Sequence, residues 1–160
     1  MKPILSEAID ITIEQLDQLD DQGYEARVVA FSEAQPVLFA WLQSDSFSLL
    51  TEDERGYLDY LSLIIWHTTA QNAPTGAPVD EDSIGEAEEH NYGLMESGAG
   101  KPFRDRLDLF FDGYEQEDLL AFAEEALLED EGEPDSQLVT PEGREVLFVA
   151  LKTTIDVLTA

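Results

Sequence analysis

The sequence predicts an all-α fold, an irregular bundle of about six or seven helices forming one domain over residues 1–160. Three observations predict it. Apolar residues recur at helical spacing through most of the chain. The β-favouring runs, such as Val28-Val29 and Leu63-Ile64-Ile65, lie inside longer stretches of that same period. Glycine and proline fall between those stretches, where helices must stop. With 160 residues, 43% of them hydrophobic, the chain can bury a core without staples.

Residues 6 to 22 place Ile9, Thr12, Ile13, Leu16 and Leu19 on one helical face, and Gly23 is the expected stop. From Tyr24 to about Gln43, the stripe Ala26, Val29, Ala30, Ala34, Val37, Leu38 and Trp41 predicts a central helix. Pro36 has no amide hydrogen and disfavours helical geometry at Gln35, so a kink or break is expected there. Thr51-Glu52-Asp53-Glu54 has the form of a capping box, a hydroxyl and a carboxylate three residues apart that serve each other's free amides. A helix over 52–71 should follow, apolar around most of its circumference from Tyr57 to Trp66 and therefore a core element.

Two prolines and a glycine in residues 72 to 79 mark a surface loop, near 73–83, between two helical halves. Residues 83 to 97 have a sparse stripe of Ile84, Ala87, Leu94 and Met95, and Gly85 and Gly93 each cost ~1 kcal/mol relative to alanine. Helices are expected from about Pro102 to Phe111 and from about 115 to 130, with an acidic loop over 129–135. Thr140-Pro141-Glu142 combines a cap, a proline at the first helical position and an early acid, which starts a closing helix running to about Leu158.

The charge excludes several function classes. Thirty-six acidic residues against eight basic ones give a net of -28, which repels phosphate backbones and anionic membranes, so direct nucleic-acid binding is not expected. No apolar run is long enough to span a bilayer, the N-terminal residues lack a signal-peptide pattern, and a cytoplasmic location is the expectation. Cysteine is absent, which removes disulfides, thiol nucleophiles and sulfur-ligated zinc. The acids run along the whole chain, which favours a surface adapted to salt over a single acidic dock.

Candidate sites are few. Glu86 and His90 are four apart on one helical face with Glu89 beside them, a two-ligand metal platform that so acidic a composition also produces by chance. The Glu-x-x-His pairs of di-metal bundles are missing: Ile64 precedes His67 by three residues and Ala87 precedes His90. Asp80 to Gly85 opens like a calcium loop but has Ile84 at its fifth position and Asn91 at its twelfth. No metal or cofactor is expected. Trp41, Tyr60, Trp66 and His67 would line a pocket if their helices converge, although a histidine beside a tryptophan on an apolar helix is ordinarily a core residue. Lys101, Arg104 and Arg106 form a basic island at a helix start, able to hold an anion or to neutralise nearby carboxylates. No P-loop, dinucleotide turn or nucleophile elbow is present.

The sequence therefore points to a non-enzymatic interaction or adaptor-like domain, with a basic protein among the partners its charge would attract and with oligomeric state open. Two other readings stand beside it. An acidic nucleic-acid mimic or antagonist of a basic partner requires acids gathered on one face. A metal-assisted or acid/base enzyme using His67 or His90 requires a histidine and at least two carboxylates to converge.

Overall fold

The computed structural model describes residues 1–73, 77–128 and 139–160. These residues form eight α-helices and no strand: α1 (Ser6–Asp17), α2 (Asp21–Ala34), α3 (Pro36–Leu42), α4 (Glu52–Asn72), α5 (Glu81–Ser97), α6 (Phe103–Phe111), α7 (Glu117–Leu128) and α8 (Pro141–Thr159). A short 3-10 turn, Asp45–Phe47, joins α3 to α4. No helix among the described residues is long and apolar enough to cross a membrane.

The last helix lies at the centre. α8 packs against α4, α5 and α7, and every residue from Leu147 to Ile155 is buried. α4 is buried without interruption from Leu61 to Thr69, as its all-round apolar sequence requires. α1 rests on α4 and α7, while α6 covers α5. One continuous apolar cluster runs through all these helices and joins the two sides of the 73–80 connection.

Side-chain caps mark the starts of α2, α4, α5 and α8. Thr51 and Glu54 form the expected box, with Glu54 N donating to Thr51 Oγ1 at 3.1 Å and Thr51 N to Glu54 Oε1 at 2.9 Å. Thr140 caps α8, accepting from Gly143 N at 3.0 Å, with Pro141 in the first turn. Asp80 caps α5 by accepting from Ser83 N at 2.8 Å, so that helix begins at Glu81 and includes both glycines. The loop expected near 73–83 is therefore shorter, and its residues 74–76 lie outside the described part. The loop expected over 129–135 lies outside it entirely.

Two expectations need correction. The first break falls at Gln18–Asp20 and not at Gly23, because the Asp20 side chain accepts from Gly23 N at 2.7 Å and places that glycine inside the first turn of α2. The break expected near Pro36 is present and divides the 24–43 stretch into α2 and α3, but that stretch is not central. Gln35 leaves helical geometry at φ -134°, ψ 67°, Pro36 starts α3, and α2 fully buries only Phe31. The α2 stripe consists largely of alanines, which gain little from burial, and Val29 and Val37 stay exposed. The longer apolar faces of α4 and α8 occupy the centre instead.

Candidate functional site

The aromatic candidates have separate ring partners. On α4, Trp66 stacks on Phe31 of α2, centroids 5.2 Å apart and planes 14° from parallel. His67 follows it, buried, with its ring 6.0 Å from Trp66 and Nε2 3.2 Å from the Gln71 amide. Burial and then the nearby Arg27 charge push the His67 pKa below its ordinary value, so the ring is neutral around pH 7. Trp41 has a different ring partner, lying edge-on to Phe47 at 5.1 Å with Glu88 of α5 beside its indole. Tyr60 is half-buried, and its phenol is raised by burial and by Asp17.

Glu86, Glu89 and His90 share an open cleft on α5 with Gly93 and Leu94, and all three are exposed. Among the described residues, no three carboxylates or histidines are placed to hold one metal ion. The calcium-like segment has become the start of a helix, and its twelfth residue, Asn91, is turned into the core.

The basic island faces carboxylates. Arg106 pairs with Glu145 of α8, and its guanidinium sits 5.8 Å from the Phe103 ring centroid, with that of Arg144 at 4.6 Å from the same ring. Arg104 lines an open cleft of about 620 Å³ with Asp105, Asp108, Glu124, Glu125 and Leu128. Lys101 is exposed.

The polar groups brought most closely together are ones the sequence did not single out. Lys152, on the central helix, is 4% exposed. Its ammonium donates to both Asp156 oxygens at 2.9 and 2.8 Å and to Asn91 Oδ1 at 3.3 Å, and it lies 4.2 Å from the Tyr114 ring centroid. Asn91 donates in turn to Asp156 Oδ2 at 3.0 Å and to Thr153 Oγ1 at 3.1 Å, while Tyr114 donates to Asp156 Oδ1 at 2.6 Å. Burial, with the Asp156 charge and hydrogen bond, raises the Tyr114 phenol well above its ordinary value and keeps it a donor. This network joins α5, α8 and the turn after α6.

Glu54 forms a second junction. Besides serving its own cap, this fully buried side chain accepts at Oε2 from Thr140 N and Thr140 Oγ1, both at 3.0 Å. One carboxyl group thus ties together the first turns of α4 and α8, where unpaired amides favour an anionic acceptor. Gly143 is required there, since a Cβ would land on the Glu54 oxygens. Both junctions are occupied by internal hydrogen bonds and do structural work.

The exterior divides more simply. Seven of the eight helices expose acidic side chains; α3, Pro-Val-Leu-Phe-Ala-Trp-Leu, has no charge at all. Between Glu33 and Glu52 the chain carries a single charged residue, Asp45. Leu38 and Leu42 face inward, which turns Pro36, Val37, Ala40 and Gln43 outward and leaves Trp41 at the edge. Leu49, two residues beyond Phe47, is 88% exposed.

Comparison of the chain with family models, with curated proteins and with solved structures finds no match.

Proposed function

We propose that this is a cytoplasmic, non-enzymatic protein-interaction domain whose acidic exterior is mainly an adaptation to salt and whose contact surface is the uncharged face of α3 and the turn after it. The observation that carries this reading is the distribution of charge: acids are exposed on every described helix except α3. Acids placed on α1, α2, α5 and α7, which pack on different parts of the α4–α8 centre, support a general solvent-facing role better than a one-sided mimic of a phosphate backbone. The buried Lys152, Asn91 and Glu54, with the part-buried Asp156 and Tyr114, join helices, and His67 packs beside Trp66, an arrangement that favours binding over catalysis.

The reading is tested by affinity capture from extracts of the source cells, at their internal salt concentration, with the wild-type chain and a Val37→Asp/Leu49→Asp variant as baits. A defined set of proteins held by the wild type and lost from the variant is expected. Identical captures from both baits would contradict the assignment of the contact surface.

A further inference from the structure

An exposed apolar surface is common on proteins; one that interrupts a -28 exterior is a more specific feature. Val37 and Ala40 face outward from α3 with Trp41 at the edge, and the Trp41–Phe47 ring contact leads to the turn on which Leu49 is exposed. Carboxylates border this surface. Glu88 lies beside the Trp41 indole, Asp59 Oδ1 accepts from Gln43 Nε2 at 2.7 Å, and Asp45 and Glu33 flank the segment in sequence. One cation, Arg55, reaches the Gln43 carbonyl at 3.3 Å.

An apolar centre with an acidic rim selects its complement. A second copy of the chain would set acid against acid and bring together two bodies of charge -28, which costs affinity at every rim contact. Resting on the contact surface assigned above, we propose that the α3 face binds a partner segment with an apolar anchor flanked by lysine or arginine. The anchor supplies affinity at high salt, where charges act only over a few ångströms, and the flanking cations discriminate against neutral and acidic segments.

The test uses the full chain, isotope-labelled, titrated with three synthetic amphipathic peptides that share leucine positions and carry lysine, glutamine or glutamate between them. Protein amide and indole resonances are followed in about 0.15 M and about 1 M potassium chloride. The expected result is saturable binding of the lysine peptide, with shifts confined to α3, residues 45–50, Glu88 and the Trp41 indole, while the Trp66 indole stays fixed. Val37→Asp or Leu49→Asp should weaken that binding about tenfold, and the milder Val37→Ser several-fold, whereas Asp10→Asn/Glu14→Gln on α1 should leave it unchanged.

Preferential binding of the glutamine or glutamate peptide at α3 would overturn the partner chemistry while leaving the contact surface intact. Lysine-peptide shifts spread over all the acidic helices and insensitive to Val37 and Leu49 would overturn both. A dimer in sedimentation experiments that Val37→Asp dissolves would overturn the proposal in favour of a second copy.

Discussion

The packing around α8 and the layer formed by α2 and α3 use their residues in opposite ways. Around α8, the buried Glu54 ties that helix's start to the start of α4, and the buried Lys152 pairs with the part-buried Asp156 in a network with Asn91 of α5 and Tyr114. In the α2–α3 layer, apolar groups such as Val29 and Val37 remain outside, and α3 has no charge with which to solvate itself. Buried charge here joins helices, whereas the proposed contact surface is the face of α3 that has no charge.

The largest effect is expected where one group serves two helices. Glu54→Ala leaves three part-buried donors without their acceptor and should cost about 3 kcal/mol of unfolding free energy, measured by urea denaturation. Gly143→Ala should destabilise by about 1–3 kcal/mol, because the new methyl displaces that carboxyl group. A change below about 0.5 kcal/mol for both would show that the junction is dispensable. Lys152→Met comes next, at about 2 kcal/mol, since the Asp156 carboxylate keeps its Tyr114 and Asn91 donors but loses its counter-charge.

Smaller still is the His67 contribution. Its folded pKa lies below the ordinary value of 6.5, so the unfolded chain takes up the proton first. The stability due to the neutral ring is complete above about pH 6.5 and is lost as pH falls through that value towards the folded pKa. The difference in unfolding free energy between wild type and His67→Gln should shift in favour of the variant from pH 7.5 to about pH 5.5; a difference independent of pH would remove His67 as the cause. The smallest effect belongs to α3: Val37→Asp should change stability by no more than about 0.5 kcal/mol in urea denaturation, because its side chain already faces solvent. A loss several times larger would mean that the α3 face is part of the core and not a contact surface.

The legible parts of the fold were those encoded locally. Thr51 to Glu54 and Thr140 to Glu142 mark helix starts within four residues, and the continuous apolar character of Leu61 to Trp66 assigns α4 to the interior. The α2 stripe misled because periodicity records where apolar residues fall and not how much area each can bury. The two polar junctions were not legible, since Glu54 meets Thr140 across 86 positions and Asn91 meets Lys152 across 61. In the sequence, Lys152 and Asp156 look like any surface pair four residues apart on a helix. Among the candidate residues, Glu86, Glu89 and His90 share a cleft because they already lie on adjoining turns of α5. The gap in charge between Glu33 and Glu52 was visible all along; its meaning depended on knowing that α3 turns Val37 and Ala40 outward.

The account rests on the exterior acids opposing one another more than they serve any internal partner. The most direct test is the thermal unfolding midpoint of the wild-type chain from about 0.1 M to about 2 M potassium chloride, which shortens the screening length from ~10 Å to a few ångströms. A midpoint that climbs steeply, with a loosened fold at the lowest salt, is the predicted result. A midpoint already high at 0.1 M and flat thereafter would contradict it and assign the acids to a bound partner.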